Sequence, residues 1–132
     1  MATIAMTAEN FENTILENDI VLIDFWADWC QPCRTFGPVF EKVSEKHPDV
    51  IFAKVDTEAE QEIAAQFGIR SIPTLAIFRE KVLLFNQAGA LPESTLEQVI
   101  ARVKDLDMDE VRTAIAEENA KAEEAGEPSN ER

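Results

Sequence analysis

Ile20-Val21-Leu22-Ile23-Asp24-Phe25-Trp26-Ala27-Asp28-Trp29-Cys30-Gln31-Pro32-Cys33-Arg34 decides how the chain is built. From Ile20 to Trp26 the run is aliphatic or aromatic on both faces, apart from one aspartate. Such a strand belongs in the middle of a sheet with helices on each side. A helix is expected to follow from about Cys33 to Lys46, with Val39, Phe40 and Val43 at helical spacing. Two thiols in C-x-x-C spacing at a helix start can close a small disulfide without unwinding the helix. Cys30, at or near the N-cap, faces unpaired backbone N–H groups and the positive end of the helix dipole. Both favour thiolate over thiol. A thiolate with a neighbouring thiol can attack a substrate disulfide and then be released by that neighbour. Cys30 is expected to be the more exposed, attacking sulfur, and Cys33, one turn inward, the resolving one. Pro32 suits the first helical turn, where its missing N–H costs nothing.

Two other readings of the pair stay open at this point. C-x-x-C is half of a zinc site, yet four ligands are needed and His47 is the one further borderline ligand, so no metal is expected. Two buried structural cysteines are possible, although Gln31-Pro32 and the helix start do not suit burial. A C-x-x-C after a strand in a βαβ pattern reads as redox-active.

Outward from this junction the chain alternates strand-like and helix-like stretches. Ile4–Met6 is a short first strand, and Thr7 offers an N-cap for a helix carrying Phe11, Ile15 and Leu16. Val50–Val55 is the next strand and Glu58–Phe67 a short amphipathic helix, with Gly68 where a C-cap belongs. Thr74–Phe78 and Val82–Phe85 predict an antiparallel hairpin. Pro92–Val103 is an amphipathic helix with Leu96, Val99, Ile100 and Val103 inward. The class is α/β, a mixed sheet with helices on both faces.

The chain has 132 residues, enough for one domain, and 45% apolar content supplies its core. Its formal charge is −14, which repels phosphate; neither nucleic acid nor an anionic membrane is an expected partner. The N-terminus lacks the basic and apolar regions of a signal peptide, and no apolar run could span a membrane, so a cytoplasmic location is expected. Residues 1–104 hold 16 acids and 9 bases, whereas 105–132 hold 10 and 3. That break predicts a globular body, 1–104, followed by an acidic C-terminal extension, 105–132. Asp107 and Glu110 form a capping box, Met108, Val111 and Ile115 a narrow stripe, and Gly126 and Pro128 a stop. Helix is expected over about 107–125, with a disordered end.

The segment Asp24–Cys33 resembles the active-site segment of thioredoxins, and Gly68-Ile69-Arg70-Ser71-Ile72-Pro73-Thr74 is similar to the loop that faces it in that family. Lys54, in Ala53-Lys54-Val55-Asp56, and Gly89-Ala90-Leu91 also fall where the family has them. The resemblance covers residues 3 to 104 and implies the thioredoxin fold: a five-stranded mixed sheet flanked by four helices, here with an additional C-terminal helix. It implies protein-disulfide reduction, with no bound cofactor beyond a redox-active Cys30–Cys33 disulfide. A thioredoxin-reductase-type flavoprotein using a reduced nicotinamide would recharge it. A cis bond before Pro73 is implied, placing the Ile72 backbone beside Cys30. Trp29, Pro73 and Gly89 would frame the substrate groove, with Gln31, Pro32 and Ile72 also contacting substrate.

Asp24 can be read on its own. A carboxylate in an apolar strand is desolvated, so its pKa should rise. The family reading makes it a proton shuttle for Cys33 with Lys54 as its charged neighbour; the alternative is a carboxylate hydrogen-bonded for structure alone. Asp28 is expected at the surface and His47 as a solvated helix-end residue. Gln31 replaces the family's usual glycine between the cysteines. Glu80-Lys81 stands where the last hairpin usually has an Asn-Gly-type turn, so a loop other than a tight two-residue turn is expected. The sequence thus points to a protein-disulfide reductase, a monomer or weak dimer, that acts on protein disulfides. The rival readings are a thioredoxin-like binding or chaperone-type module with little turnover, and a thiol oxidase or isomerase.

Overall fold

A computed structural model describes residues 2–124. The elements are β1 (Thr3–Ala5), α1 (Phe11–Glu17), β2 (Ile20–Trp26), α2 (Gln31–Ser44), β3 (Ile51–Asp56), α3 (Gln61–Gln66), β4 (Thr74–Arg79), β5 (Val82–Ala88), α4 (Glu93–Asp105) and α5 (Met108–Glu124). The sheet runs β1-β3-β2-β4-β5, with β1, β3 and β2 parallel and β4 and β5 antiparallel to their neighbours. As its composition requires, β2 is central, and Ile20 through Phe25 are buried.

The period-2 alternation of β2 separates two cores. Ile20 and Leu22 join Phe52, Leu75 and Ile77 beneath Phe36, Phe40 and Val43 of α2 and Leu96, Ile100 and Val103 of α4. Val21, Ile23 and Phe25 join Ala53, Val55 and Ala76 against Ile15 of α1 and Ile63 of α3. Each large side chain buried this way contributes about 1.5–3 kcal/mol. Asp24 and Trp26 fall on the α2 face by the same alternation, which places the site described below.

Several boundaries differ from the sequence reading for local reasons. Asn10, rather than Thr7, occupies the N-cap position of α1 without a side-chain cap bond, because the Thr7 N–H donates to Asn10 Oδ1 at 2.8 Å and closes a turn ahead of the helix. α2 starts at Gln31, not Cys33, with Cys30 as its cap. α3 is shorter than Glu58–Phe67, since Asp56 Oδ1 accepts from the Glu58 N–H at 2.9 Å and holds that segment as a turn. Gly37 precedes Pro38 inside α2, where any Cβ would crowd the proline ring. His47 is not a solvated helix-end residue. Its Nε2 lies 2.6 Å from Glu97 Oε1 and its Nδ1 accepts from Lys104 Nζ at 3.0 Å, tying the end of α2 to α4.

The β4–β5 connection also differs: it is a tight two-residue turn with Glu80 at φ 50° and Lys81 at φ 71°. The Glu80 N–H donates to the Asp19 carbonyl at 2.8 Å, and Arg112 Nη1 donates to its carboxylate at 2.6 Å. These contacts hold a side-chain-bearing residue in the left-handed region, where each such residue costs roughly 1–2 kcal/mol. Lys81, which has no such anchor among the described residues, is the place to recover that cost. Lys81→Gly should stabilise the fold by about 0.5–1 kcal/mol in urea unfolding, the gain being net of glycine's greater unfolded-state freedom.

After α4 the chain forms α5 over Met108–Glu124, within the stretch expected to be helical. Asp107 Oδ1 accepts from the Asp109 and Glu110 N–H groups at 3.0 and 3.3 Å, as its capping role requires. Met108 alone in α5 is buried, and Ile115 is exposed. Arg79 Nη1 donates to the Val103, Lys104 and Leu106 carbonyls at 2.8, 3.2 and 2.8 Å, so β4 fixes the chain between α4 and α5. The expected helix stop and disordered end lie outside the described residues.

Candidate active site

The sequence places Cys30 at the one point where a strand end, a helix start and a facing loop meet. Its φ of −87° and ψ of 112° are extended, so its side chain turns back over the first turn of α2, and its Sγ accepts from the Cys33 N–H at 3.2 Å. The cysteines form a disulfide with Cα atoms 5.2 Å apart. A thiolate on Cys30 would keep that amide and gain the positive end of the helix dipole.

The pair does not differ in exposure as expected. Cys30 is 3% and Cys33 5% exposed: they form a buried cluster with Ala27, against which Trp26 and Ile72 pack. What distinguishes them is direction. Cys30, and not Cys33, lines an open depression of about 640 Å³ beside α3. Trp29, 68% exposed, stands at its rim, with Gln31, Pro32 and Ile72 also in its wall. Pro73 and Gly89 are not among its lining residues. They meet elsewhere, the Gly89 N–H donating to the Pro73 carbonyl at 2.8 Å, with Gly89 at φ 122°. The Ile72–Pro73 bond is cis, and the Ile72 carbonyl oxygen lies 3.6 Å from Cys30 Sγ.

The opposite wall was not read from the sequence. Thr57, Glu58, Gln61, Ala64 and Ala65 supply it. The Ala64-Ala65 pair on a short amphipathic helix was the available signal, since small residues there leave room beside Cys30. Arg34 Nε donates to the Asp28 carbonyl at 3.0 Å, fixing the loop ahead of the cysteines.

Asp24 is 1% exposed, and neither carboxylate oxygen has a hydrogen-bond partner among the described residues. Burial pushes its pKa up to about 7, against a smaller opposing pull from Lys54. Lys54 stands opposite Asp24 in the β2–β3 register, yet the two form no ion pair within 4 Å among the described residues. No group of three or more His, Cys, Asp and Glu side chains among the described residues is placed to hold a metal ion.

Known proteins carry this arrangement. The family model described as Thioredoxin matches residues 2–102. A Streptomyces coelicolor relative, whose name places it among the thioredoxins, is 58% identical over 121 residues, covering 92% of this chain and 90% of its own. A thioredoxin structure from Malassezia sympodialis superposes with a TM-score of 0.69 at 35% identity, covering 76% of this chain and 89% of that one. A variant thioredoxin from Halobacterium salinarum gives a TM-score of 0.72 at 31% identity, covering 80% and 92%. With the fold, the helix-start disulfide and the family model in agreement, this chain belongs to the thioredoxin family of thiol–disulfide oxidoreductases.

Proposed function

We propose that this chain is the protein-disulfide reductase its family membership indicates, with Cys30 attacking and Cys33 resolving. The observation that carries the assignment is the capped sulfur of Cys30, held at the start of α2 and facing the open depression. The Cys30 thiolate attacks one sulfur of a client disulfide; a mixed disulfide forms and the other client sulfur leaves as a thiolate. Asp24 then takes the Cys33 proton. The Cys33 sulfur attacks Cys30, the client's second sulfur departs as thiolate, and the chain is left oxidised while the client has gained two electrons. A thioredoxin-reductase-type flavoprotein drawing on a reduced nicotinamide returns those electrons.

Trp29, Gln31, Pro32 and Ile72 line the depression and are the side chains assigned to client contact, with Pro73 and Gly89 flanking the Ile72 backbone. Gln31 lies between the two cysteines in sequence, where the intervening residues tune the redox poise. A cytoplasmic site of action is proposed because a reductase works where disulfides are rare. A charge of −14 opposes self-association, which supports a monomer or weak dimer. No helix among the described residues is long and apolar enough to cross a membrane.

Residues 1–104 are proposed to carry the activity and 105–132 to be an acidic addition. One comparison tests both readings. The full chain and a chain ending at Leu106 are assayed for insulin disulfide reduction with a thioredoxin reductase and reduced nicotinamide. Both should turn over at the same rate, since every group assigned above precedes residue 90. The shorter chain should be about 1–2 kcal/mol less stable, because Met108 loses its burial. An inactive full chain would favour a binding module; a folded but inactive short chain would place the extension in the reductase itself.

A further inference from the structure

We propose that Trp26 is a positioning residue, its indole ring holding the Lys54 ammonium away from Asp24 and so leaving that carboxylate without a direct partner. Asp24 and Trp26 are two residues apart on β2 and share the face under α2. Lys54, directly opposite Asp24 on β3, projects from the same face, within reach of a direct ion pair. That pair is not made. Both Asp24 oxygens lack a hydrogen-bond partner, while Lys54 Nζ lies over the Trp26 ring, 5.1 Å from its centroid. A Cβ on Gly37 of α2 would come within 3.7 Å of Nζ, so the helix backs the ammonium from the other side. A tryptophan face attracts a partly desolvated ammonium more than any other ring does. A buried ion pair gains little over this, since desolvation offsets most of its attraction.

Among the described residues nothing else charged competes for Asp24. On β4 its register partner is the apolar Leu75, α2 presents Cys33 and Gly37 on this face, and Lys54 is the one charge acting on the carboxylate. Trp26 also packs against the cluster formed by Ala27, Cys30 and Cys33, so the residue that holds Lys54 borders the reacting pair. A carboxylate kept unpaired in this way can exchange a proton near neutrality; a directly paired one would stay ionised.

The meaning of this for turnover rests on Asp24 being the proton acceptor, but the test does not. Asp24 is titrated by carbon-13 NMR of its carboxyl in the oxidised chain, where no turnover occurs. Trp26→Leu should lower the midpoint by about one pH unit as Lys54 settles onto the carboxylate. Lys54→Met alone should raise it, and Trp26→Leu added to Lys54→Met should then change nothing further. Trp26→Phe, which keeps a weaker ring, should fall between the native chain and Trp26→Leu. An unmoved midpoint in Trp26→Leu would overturn the assignment. So would an equal drop in the Lys54→Met background, which would mean that the ring acts by excluding water. If Trp26→Leu does not fold, Trp26→Phe with and without Lys54→Met decides by the same criterion. A failed proton-acceptor role shows separately, as an unaltered pH profile of turnover in an Asp24→Asn chain.

Discussion

Serine at position 30 should reduce insulin disulfide reduction to the uncatalysed background, while Cys33→Ser should accumulate a mixed disulfide between Cys30 and the client. The first substitution removes the nucleophile; a hydroxyl at the same point ionises far too weakly to replace it. The second leaves attack intact and removes the only sulfur placed to finish the exchange. Exposure does not give this order, because both cysteines are nearly buried in the oxidised chain. Direction does: Cys30 lines the open depression and Cys33 does not. Alkylation of the reduced chain followed by mass spectrometry checks the same point. Cys30 should be labelled first, and prior labelling of Cys33 would reverse the two roles.

What the sequence made legible follows from how local each signal is. β2 was readable because a doubly apolar run with a single aspartate admits one environment, and its junction with α2 because C-x-x-C with a proline constrains a helix start. Boundaries set by side chains folding back on the backbone were not readable to the residue. Asn10 accepts from the Thr7 N–H and closes a turn ahead of α1, and Asp56 delays α3, through hydrogen bonds that any nearby Asn or Asp could have made. The Glu80-Lys81 turn went against its own residues because ladder pairing on both sides and the Arg112 contact override local preference. His47 could not be placed from sequence, since its partners Glu97 and Lys104 lie on a helix about fifty residues away.

The site divides in the same way. Cys30, Cys33 and Asp24 were visible as chemistry in an unlikely setting, a charge and two thiols at the end of an apolar strand. The α3 wall of the depression was missed because Ala64 and Ala65 matter there through what they leave empty. Trp26 stands in the apolar strand and in the active-site segment, and nothing in the sequence gives it a role of its own. Its contact with Lys54 depends on the parallel register of β2 and β3, which pairs Asp24 with Lys54 and leaves the ammonium free to lean along the strand.

Asp24→Asn should raise stability at pH 8 by on the order of 3–4 kcal/mol and by little at pH 4, while slowing turnover at neutral pH. The sign follows from the raised carboxyl, about 7 in the folded chain against 3.8 for the free group. Below pH ~4 the group is protonated in both states and folding carries no penalty. Between ~4 and ~7 the folded chain holds a proton that the unfolded chain has released, so stability falls as pH rises. Above ~7 both states are ionised and the loss is complete, on the order of 4 kcal/mol. Asparagine keeps the shape and never ionises, so its chain avoids the whole decline. Urea unfolding at the two pH values measures this, and an equal gain at both would show that Asp24 is not buried as a titrating group. Turnover should move the opposite way. Without a proton acceptor, Cys33 must lose its proton to water, and resolution of the mixed disulfide should slow by about 10²-fold near pH 7. The defect should fade as pH approaches the thiol's own ionisation, because there Cys33 is already a thiolate. A residue that costs stability at every pH above ~4, and whose removal slows only the step needing a proton acceptor, is held in the fold by its chemistry rather than by its packing.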